Sequence, residues 1–177
     1  MKNDLLLEKS IRNIHGFPKP GIIFRDVTTL AQNSVAFRRS VNLLAKKYQG
    51  RKIDKVVGAE ARGFIFASAL AHKIGAGFIP VRKEGKLPHK TISTSYELEY
   101  GKDTLEIHKD AIAAGERILI IDDLLATGGT IEAVIRLIKK LQGKIIGIGF
   151  IIELVDLKGR DKLKGYPVFS LLKFHER

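Results

Sequence analysis

Residues 118–130 read Ile118-Leu-Ile-Ile-Asp-Asp-Leu-Leu-Ala-Thr-Gly-Gly-Thr130. Four consecutive aliphatic residues after Arg117 describe a strand buried on both faces, as in a parallel sheet covered by helices. The strand closes on Asp122 and Asp123, the chain turns through Ala126, Thr127, Gly128 and Gly129, and a helix follows over 130–141. Open α/β sheets bind ligands at such turns, beyond the C-terminal ends of their strands. Glycines let backbone N–H groups approach an anion closely, and a helix N-terminus adds unpaired donors and positive potential. Thr127 and Thr130 supply hydroxyls that suit a phosphate monoester, whereas Asp122 and Asp123 repel phosphate and suit sugar hydroxyls. Phosphate beside diol describes a ribose 5-phosphate. Helix capping is the plain alternative for the single residues, but it accounts for neither the adjacent aspartates nor the paired glycines.

Outward from this stretch, an apolar strand over 144–154 completes a strand–helix–strand unit. Upstream, 53–58 reads as a short strand, Phe64–Ile74 as a helix ended by Gly75 and Gly77, and 78–82 as the next strand. Pro80 marks that strand as an edge or an end. Ser95–Tyr100 and Thr104–His108 read as an antiparallel hairpin around a Gly101-Lys-Asp103 turn. The N-terminal segment reads as a short amphipathic helix capped by Asn3 or Asp4, with Leu5, Leu6, Ile11 and Ile14 at helical spacing. Gly16, Pro18, Pro20 and Gly21 end it, and a second helix starts at Ser34, with Val35, Val41, Leu44 and Tyr48 as its face before Gly50. With no repeat and no domain-length linker, residues 1–177 are expected to form a single α/β domain.

Composition narrows the classes of function. Apolar residues make up 45% and charged residues 28% of the 177, which excludes a disordered or fibrous chain. With 31 Lys and Arg against 19 Asp and Glu the formal charge is +12, so an anionic partner is expected without its kind being specified. The chain has no Cys, which removes disulfides, thiolate metal sites and cysteine nucleophiles and fits a reducing compartment. Only three consecutive apolar residues, Leu5–Leu7, precede Glu8 and Lys9, too few for a signal-peptide core, and no run approaches membrane-spanning length. A cytoplasmic protein is expected.

The string DDLLATGGT at 122–130 resembles the signature of the type I phosphoribosyltransferases, in the version typical of the adenine-specific family. The resemblance spans almost the whole chain through FPKPGIIFRD at 17–26, ARGF at 61–64, RKEGKLPHKT at 82–91 and SYELEYGKD at 95–103. Neither GxxxxGK[ST] nor a GxGxxG after a strand is present, so Walker-type and dinucleotide sites lack support. The resemblance implies a mostly parallel sheet flanked by helices, a small N-terminal hood over about residues 1–33, and a flexible catalytic loop and hairpin. It also implies the reaction: adenine and 5-phospho-α-D-ribose 1-diphosphate give AMP and diphosphate, with Mg²⁺. The sugar C1 passes through an oxocarbenium-like state.

The resemblance also distributes tasks. Ala126, Thr127, Gly128, Gly129 and Thr130, with Asp122 and Asp123, hold the ribose 5-phosphate. Arg82, Lys83 and Lys86 belong to a basic loop that composition alone would leave as a solvated surface; by resemblance it closes over the diphosphate, with Lys86 catalytic. His89 in the same loop stays open between the two readings. Glu60, Ala61 and Arg62 match the family's diphosphate turn, with Arg62 as the contact, although Glu60-Ala61 stands where the family often has Asp-Ser. Glu99 is by residue type an ordinary strand carboxylate; by resemblance it is the catalytic carboxylate beside the purine, and Tyr100 packs near the ribose or the loop. Phe24, otherwise a core aromatic, would stack on adenine while the backbone of Ile23 and Arg25 reads its edge. No dedicated metal cage is expected, since Mg²⁺ would arrive with the diphosphate and keep its waters.

Two other readings remain. Some regulators with this fold bind nucleic acid, but they need a recognition helix or basic groove, and the first fifty residues offer none. A xanthine or hypoxanthine enzyme would depart from LLATGGT and carry its base hood elsewhere in the chain. Small-molecule substrates, no nucleic acid, no membrane and a homodimer are the expected partners.

Overall fold

In the computed structural model, residues 4–98 and 101–175 are described. Asp4 caps the first helix, α1 (Leu5–Lys9), its carboxylate accepting from the N–H groups of Leu6 and Leu7 at 3.1 and 3.3 Å. The helix is shorter than its apolar spacing suggests. Thr29 Oγ1 donates to the Ser10 carbonyl at 2.7 Å and accepts from the Arg12 N–H at 3.1 Å, which draws the chain into β1 (Arg12–His15). Ile11 is buried, but Ile14 is an exposed strand residue rather than part of a helical face. β1 pairs antiparallel with β2 (Ile23–Asp26) in a ribbon of its own, with Ile14 opposite Phe24.

A short α2 (Thr28–Gln32) precedes α3 (Ser34–Lys47), which begins at the residue that the sequence indicates. The Asn33 carboxamide oxygen caps α3, accepting from the N–H groups of Val35 and Ala36 at 3.1 and 3.0 Å. Its buried face is Ala36, Ser40, Val41 and Leu44, while Val35 points to solvent.

The main sheet comprises β3 (Lys55–Ala59), β4 (Gly77–Lys83), β5 (Thr91–Leu98), β6 (Gly101–His108), β7 (Arg117–Leu125), β8 (Lys144–Leu154) and β9 (Val168–Phe174). Their spatial order is β5-β6-β4-β3-β7-β8-β9. The pairs β3–β4, β3–β7, β7–β8 and β8–β9 are parallel, while β5–β6 and β4–β6 are antiparallel. The sheet is thus mostly parallel with an antiparallel hairpin at one edge. That hairpin pairs Leu98 with Gly101, so Gly101–Asp103 belong to β6 and not to a turn. Pro80 sits where β4 pairs with β3 alone, because β6 reaches only Arg82 and Lys83.

β7 explains the layering. Ile118 and Ile120 pack on one side with α5 (Gly129–Lys140), and Leu119 and Ile121 pack on the other with α3 and α4 (Arg62–Ile74). All four residues are fully buried. The strand also runs three residues past Asp122, and α4 and α5 start two and one residues earlier than the sequence pattern suggests. β9 was not read from the sequence. Among the described residues no helix is long and apolar enough to cross a membrane.

Candidate active site

β3 and β7 are parallel neighbours, Gly58 lying opposite Ile121, and the chain leaves them toward opposite edges of the sheet, to β4 and to β8. A crevice opens beyond their C-terminal ends at such a switch. A cleft of about 470 Å³ lies there, walled by Glu60–Arg62 after β3 and by Asp122–Ile131 from β7 into α5. Two of the turns singled out in the sequence are therefore brought face to face.

The loop from Ala126 to Thr130 forms one wall. Gly128 has φ +83°, in the left-handed region, and carries no side chain to cap α5. The first-turn N–H groups of α5 are left for a ligand. Asp122 and Asp123 stay within β7 and cap nothing, so helix capping does not explain them.

Both aspartates are buried. The N–H of Asp123 donates to Asp122 Oδ1 at 2.9 Å. Burial first, and then the adjacent Asp123 charge, push the Asp122 carboxyl well above the usual carboxylate range, against the opposing pull of that N–H and of Arg62. Arg62 Nε donates to Asp123 Oδ2 at 2.5 Å and so ties the turn after β3 to the two aspartates of β7. The next residue, Gly63, permits this closeness, since a Cβ there would lie 2.5 Å from Asp122 Oδ1. The peptide bond between Glu60 and Ala61 is cis.

Glu60 collects the basic loop. Its Oε2 accepts from Arg82 Nε and its Oε1 from Lys86 Nζ, both at 2.8 Å, and Arg82 Nη1 donates to the Lys86 carbonyl at 3.3 Å. Burial raises the Glu60 pKa, but the bonds from Lys86, Arg82 and the Lys83 backbone outweigh it, and the net shift is downward. Lys83 turns to the hairpin instead, its Nζ 2.9 Å from Asp103 Oδ2, and that bond raises its pKa. Tyr96 OH donates to the same Asp103 oxygen at 3.4 Å. His89 is exposed, its ring 6.1 Å from that of His108. Glu99 and Tyr100, assigned by resemblance to catalysis and to loop packing, lie outside the described residues.

Ile23, Phe24 and Arg25 lie together on β2. Phe24 is half-buried rather than a core residue; it meets Phe17 edge-on at 5.2 Å, and the Arg62 guanidinium lies 5.3 Å from its ring centre. Arg25 donates to Asn13 Oδ1 at 2.6 Å and lies over Phe174 at 4.4 Å. Asp26 fastens the ribbon through Arg12 at 2.8 Å and Thr28 Oγ1 at 2.5 Å.

Some functional neighbours escaped the sequence reading. Asp103 and the charge-collecting role of Glu60 arise from pairings twenty or more residues apart and leave no local signal. Phe17 had one, as an aromatic facing Phe24 across a Gly/Pro turn. Gly159, which backs Ala126 and Gly128, lies in a short 3₁₀ segment at Gly159–Leu163. The adjoining Arg160 is fixed by a bidentate pair with buried Glu153, at 2.5 and 2.6 Å, and by bonds to the Val168 carbonyl and Ser170 Oγ.

The phosphoribosyl transferase domain family matches residues 26–173. An adenine phosphoribosyltransferase of Clostridium botulinum is 53% identical over 169 residues, covering 96% of this chain and 98% of that one. The crystal structure of adenine phosphoribosyltransferase from Thermoanaerobacter pseudethanolicus superposes with a TM-score of 0.93 at 52% identity, covering 96% and 99% of the two chains. The Saccharomyces cerevisiae enzyme, solved with an imino-altritol bisphosphate and adenine, gives 0.90 at 41% identity, over 95% and 97%. On matches of this extent, the chain belongs to the adenine phosphoribosyltransferases of the phosphoribosyl transferase family.

Proposed function

We propose that the cleft between β3 and β7 is where this chain transfers the phosphoribosyl group of 5-phospho-α-D-ribose 1-diphosphate to adenine, giving AMP and diphosphate. The observation that carries the assignment is the Arg62–Asp123 pair, which joins a turn suited to diphosphate to a loop suited to a sugar phosphate. The 5-phosphate takes the N–H groups and hydroxyls of Ala126–Thr130, and Asp122 and Asp123 face the ribose hydroxyls. The two carboxyl groups also favour positive charge on the sugar as the bond from C1 to the diphosphate oxygen breaks. The leaving diphosphate moves toward Arg62, Arg82 and Lys86, with Lys83 as the further cation of the loop.

Adenine attacks C1 from the side of β2, its ring against Phe24 and its edge on the backbone of Ile23 and Arg25. The new C1–N9 bond releases the N9 proton, and Glu99 carries the proton chemistry of the base. About residues 1–33 serve as the hood of a single domain. The cleft offers oxygen donors alone, which suit a hard cation. Mg²⁺ would be held through the diphosphate and its own waters, beside the wall that carries Asp122 and Asp123, and would neutralise diphosphate charge. Among the described residues no cluster of three or more His, Asp or Glu forms a cage. The family resemblance supports a homodimer working in the cytoplasm. AMP formation from adenine and the diphosphate donor tests the reading directly; its absence with pure, folded protein would remove the assignment.

A further inference from the structure

Three of the four cations assigned above to the diphosphate hold a carboxylate of the cleft wall, and Lys83 holds Asp103 on the hairpin. Arg62 is on Asp123. Arg82 and Lys86 share Glu60, whose side chain is only 6% exposed and has one oxygen engaged by each of them at 2.8 Å. Glu60 stands at the end of β3 on the cleft wall, whereas Arg82 and Lys86 come from the end of β4 and the loop beyond it. One fixed anion thus gathers two cations from a segment in which Glu84 is the single acid among Arg82, Lys83, Lys86 and Lys90.

A carboxylate repels a diphosphate, so the Glu60 side chain cannot take the contact proposed for Arg62. We propose that Glu60 is a positioning residue acting through Arg82 and Lys86: it holds the basic loop as an internal anion, yields both cations when the donor arrives, and reclaims them as diphosphate leaves. This rests on the assignment of the cleft to diphosphate chemistry given above.

The argument is one of competition. A diphosphate carries more charge and more acceptor oxygens than a carboxylate, so it takes the two cations when bound. Glu60 is tethered beside them and is never diluted, which makes it an effective competitor despite its single charge. When only a fraction of the loop is free of Glu60, the apparent affinity for diphosphate falls by that fraction. The same competition accelerates departure of the product and returns the loop to a defined place for the next donor.

The test uses the full chain and inorganic diphosphate as the probe. Glu60→Gln keeps shape and removes charge. It is expected to bind diphosphate about tenfold more tightly, measured by calorimetry and as product inhibition. Its steady-state turnover should fall while the single-turnover rate of AMP formation on the enzyme stays near the native value. Glu60→Asp keeps the charge on a shorter arm and should lie between the two, which guards against misreading a folding defect in Gln. Unchanged or weaker diphosphate binding in Glu60→Gln, or an equal fall in single-turnover and steady-state rates, would overturn the proposal. Failure of the native protein to bind diphosphate at all would instead overturn the assignment of the cleft, and the proposal with it.

Discussion

Gly128 and Gly159 approach so closely that a Cβ on Gly128 would lie 2.6 Å from the Gly159 carbonyl oxygen. The loop from Ala126 to Thr130 therefore rests on a distant segment, and the Gly128 φ of +83° is a conformation that only glycine adopts easily. Gly128→Ala should cost about 1–3 kcal/mol from backbone strain, seen as a lower denaturation midpoint. The displaced loop should also lose a charge-assisted hydrogen bond to the 5-phosphate, raising the donor KM by about tenfold or more. Native-like stability and KM together would remove this loop from the site.

Lys86 tests transition-state stabilisation. If its ammonium meets charge that builds up on the departing diphosphate, Lys86→Ala lowers kcat and kcat/KM together, by roughly 10²–10³. A change confined to KM would make Lys86 a uniform binder of substrate and end its catalytic assignment.

Stability should carry an acid limb from Glu153. Burial raises its pKa, but hydrogen bonds from Arg160 and Ser170 and the charges of Arg160 and Lys173 more than offset this, so the folded value lies below the ordinary one. A lowered carboxylate pKa contributes stability in full above the unfolded value of about 4.3 and loses it as pH falls through the folded value. Arg160→Met strands the buried carboxylate and should cost roughly 3 kcal/mol at pH 7. Urea titrations should show the difference between native and variant shrinking as pH drops from 5 toward 3; a pH-independent difference would exclude the charge as its source.

Base choice and proton transfer can be separated. A hood that accepts from the exocyclic amine of adenine meets the carbonyl of hypoxanthine acceptor to acceptor, and a site built around such a bond can discriminate by ~10⁴ or more. The expected order of kcat/KM is adenine far above hypoxanthine and guanine, and comparable turnover of hypoxanthine would refute the specificity. Glu99→Leu should depress kcat by ~10²–10⁴ while adenine binding changes little; an unimpaired variant would free Glu99 of its role.

The legible part of the fold was the part written locally. Ile118–Ile121 announces a strand buried on both faces, and Leu119 and Ile121 indeed pack on the opposite layer from Ile118 and Ile120. The Asp122–Thr130 and Glu60–Arg62 turns were each visible as strand-end anion sites, and the structure brings them to one cleft. What escaped depends on distance along the chain. Ile11 and Ile14 have helical spacing, but strand pairing with β2 and the Thr29 hydroxyl override it. In β9, Val168-Phe-Ser-Leu-Leu-Lys-Phe174 breaks alternation, and only its parallel neighbour β8 makes a strand of it. Asp103 read as a turn residue because a Gly-Lys-Asp string is turn-like, although it lies in β6 and holds Lys83.

The ribbon β1–β2 forms a sheet separate from the seven-stranded one, and among the described residues neither of its strands pairs into the larger sheet. On the proposed division of labour, recognition of the nucleobase and cleavage of the sugar–diphosphate bond therefore rest on different hydrogen-bond frameworks. Drift in residues 12–26 can reshape which heterocycle is accepted without loosening β3 or β7.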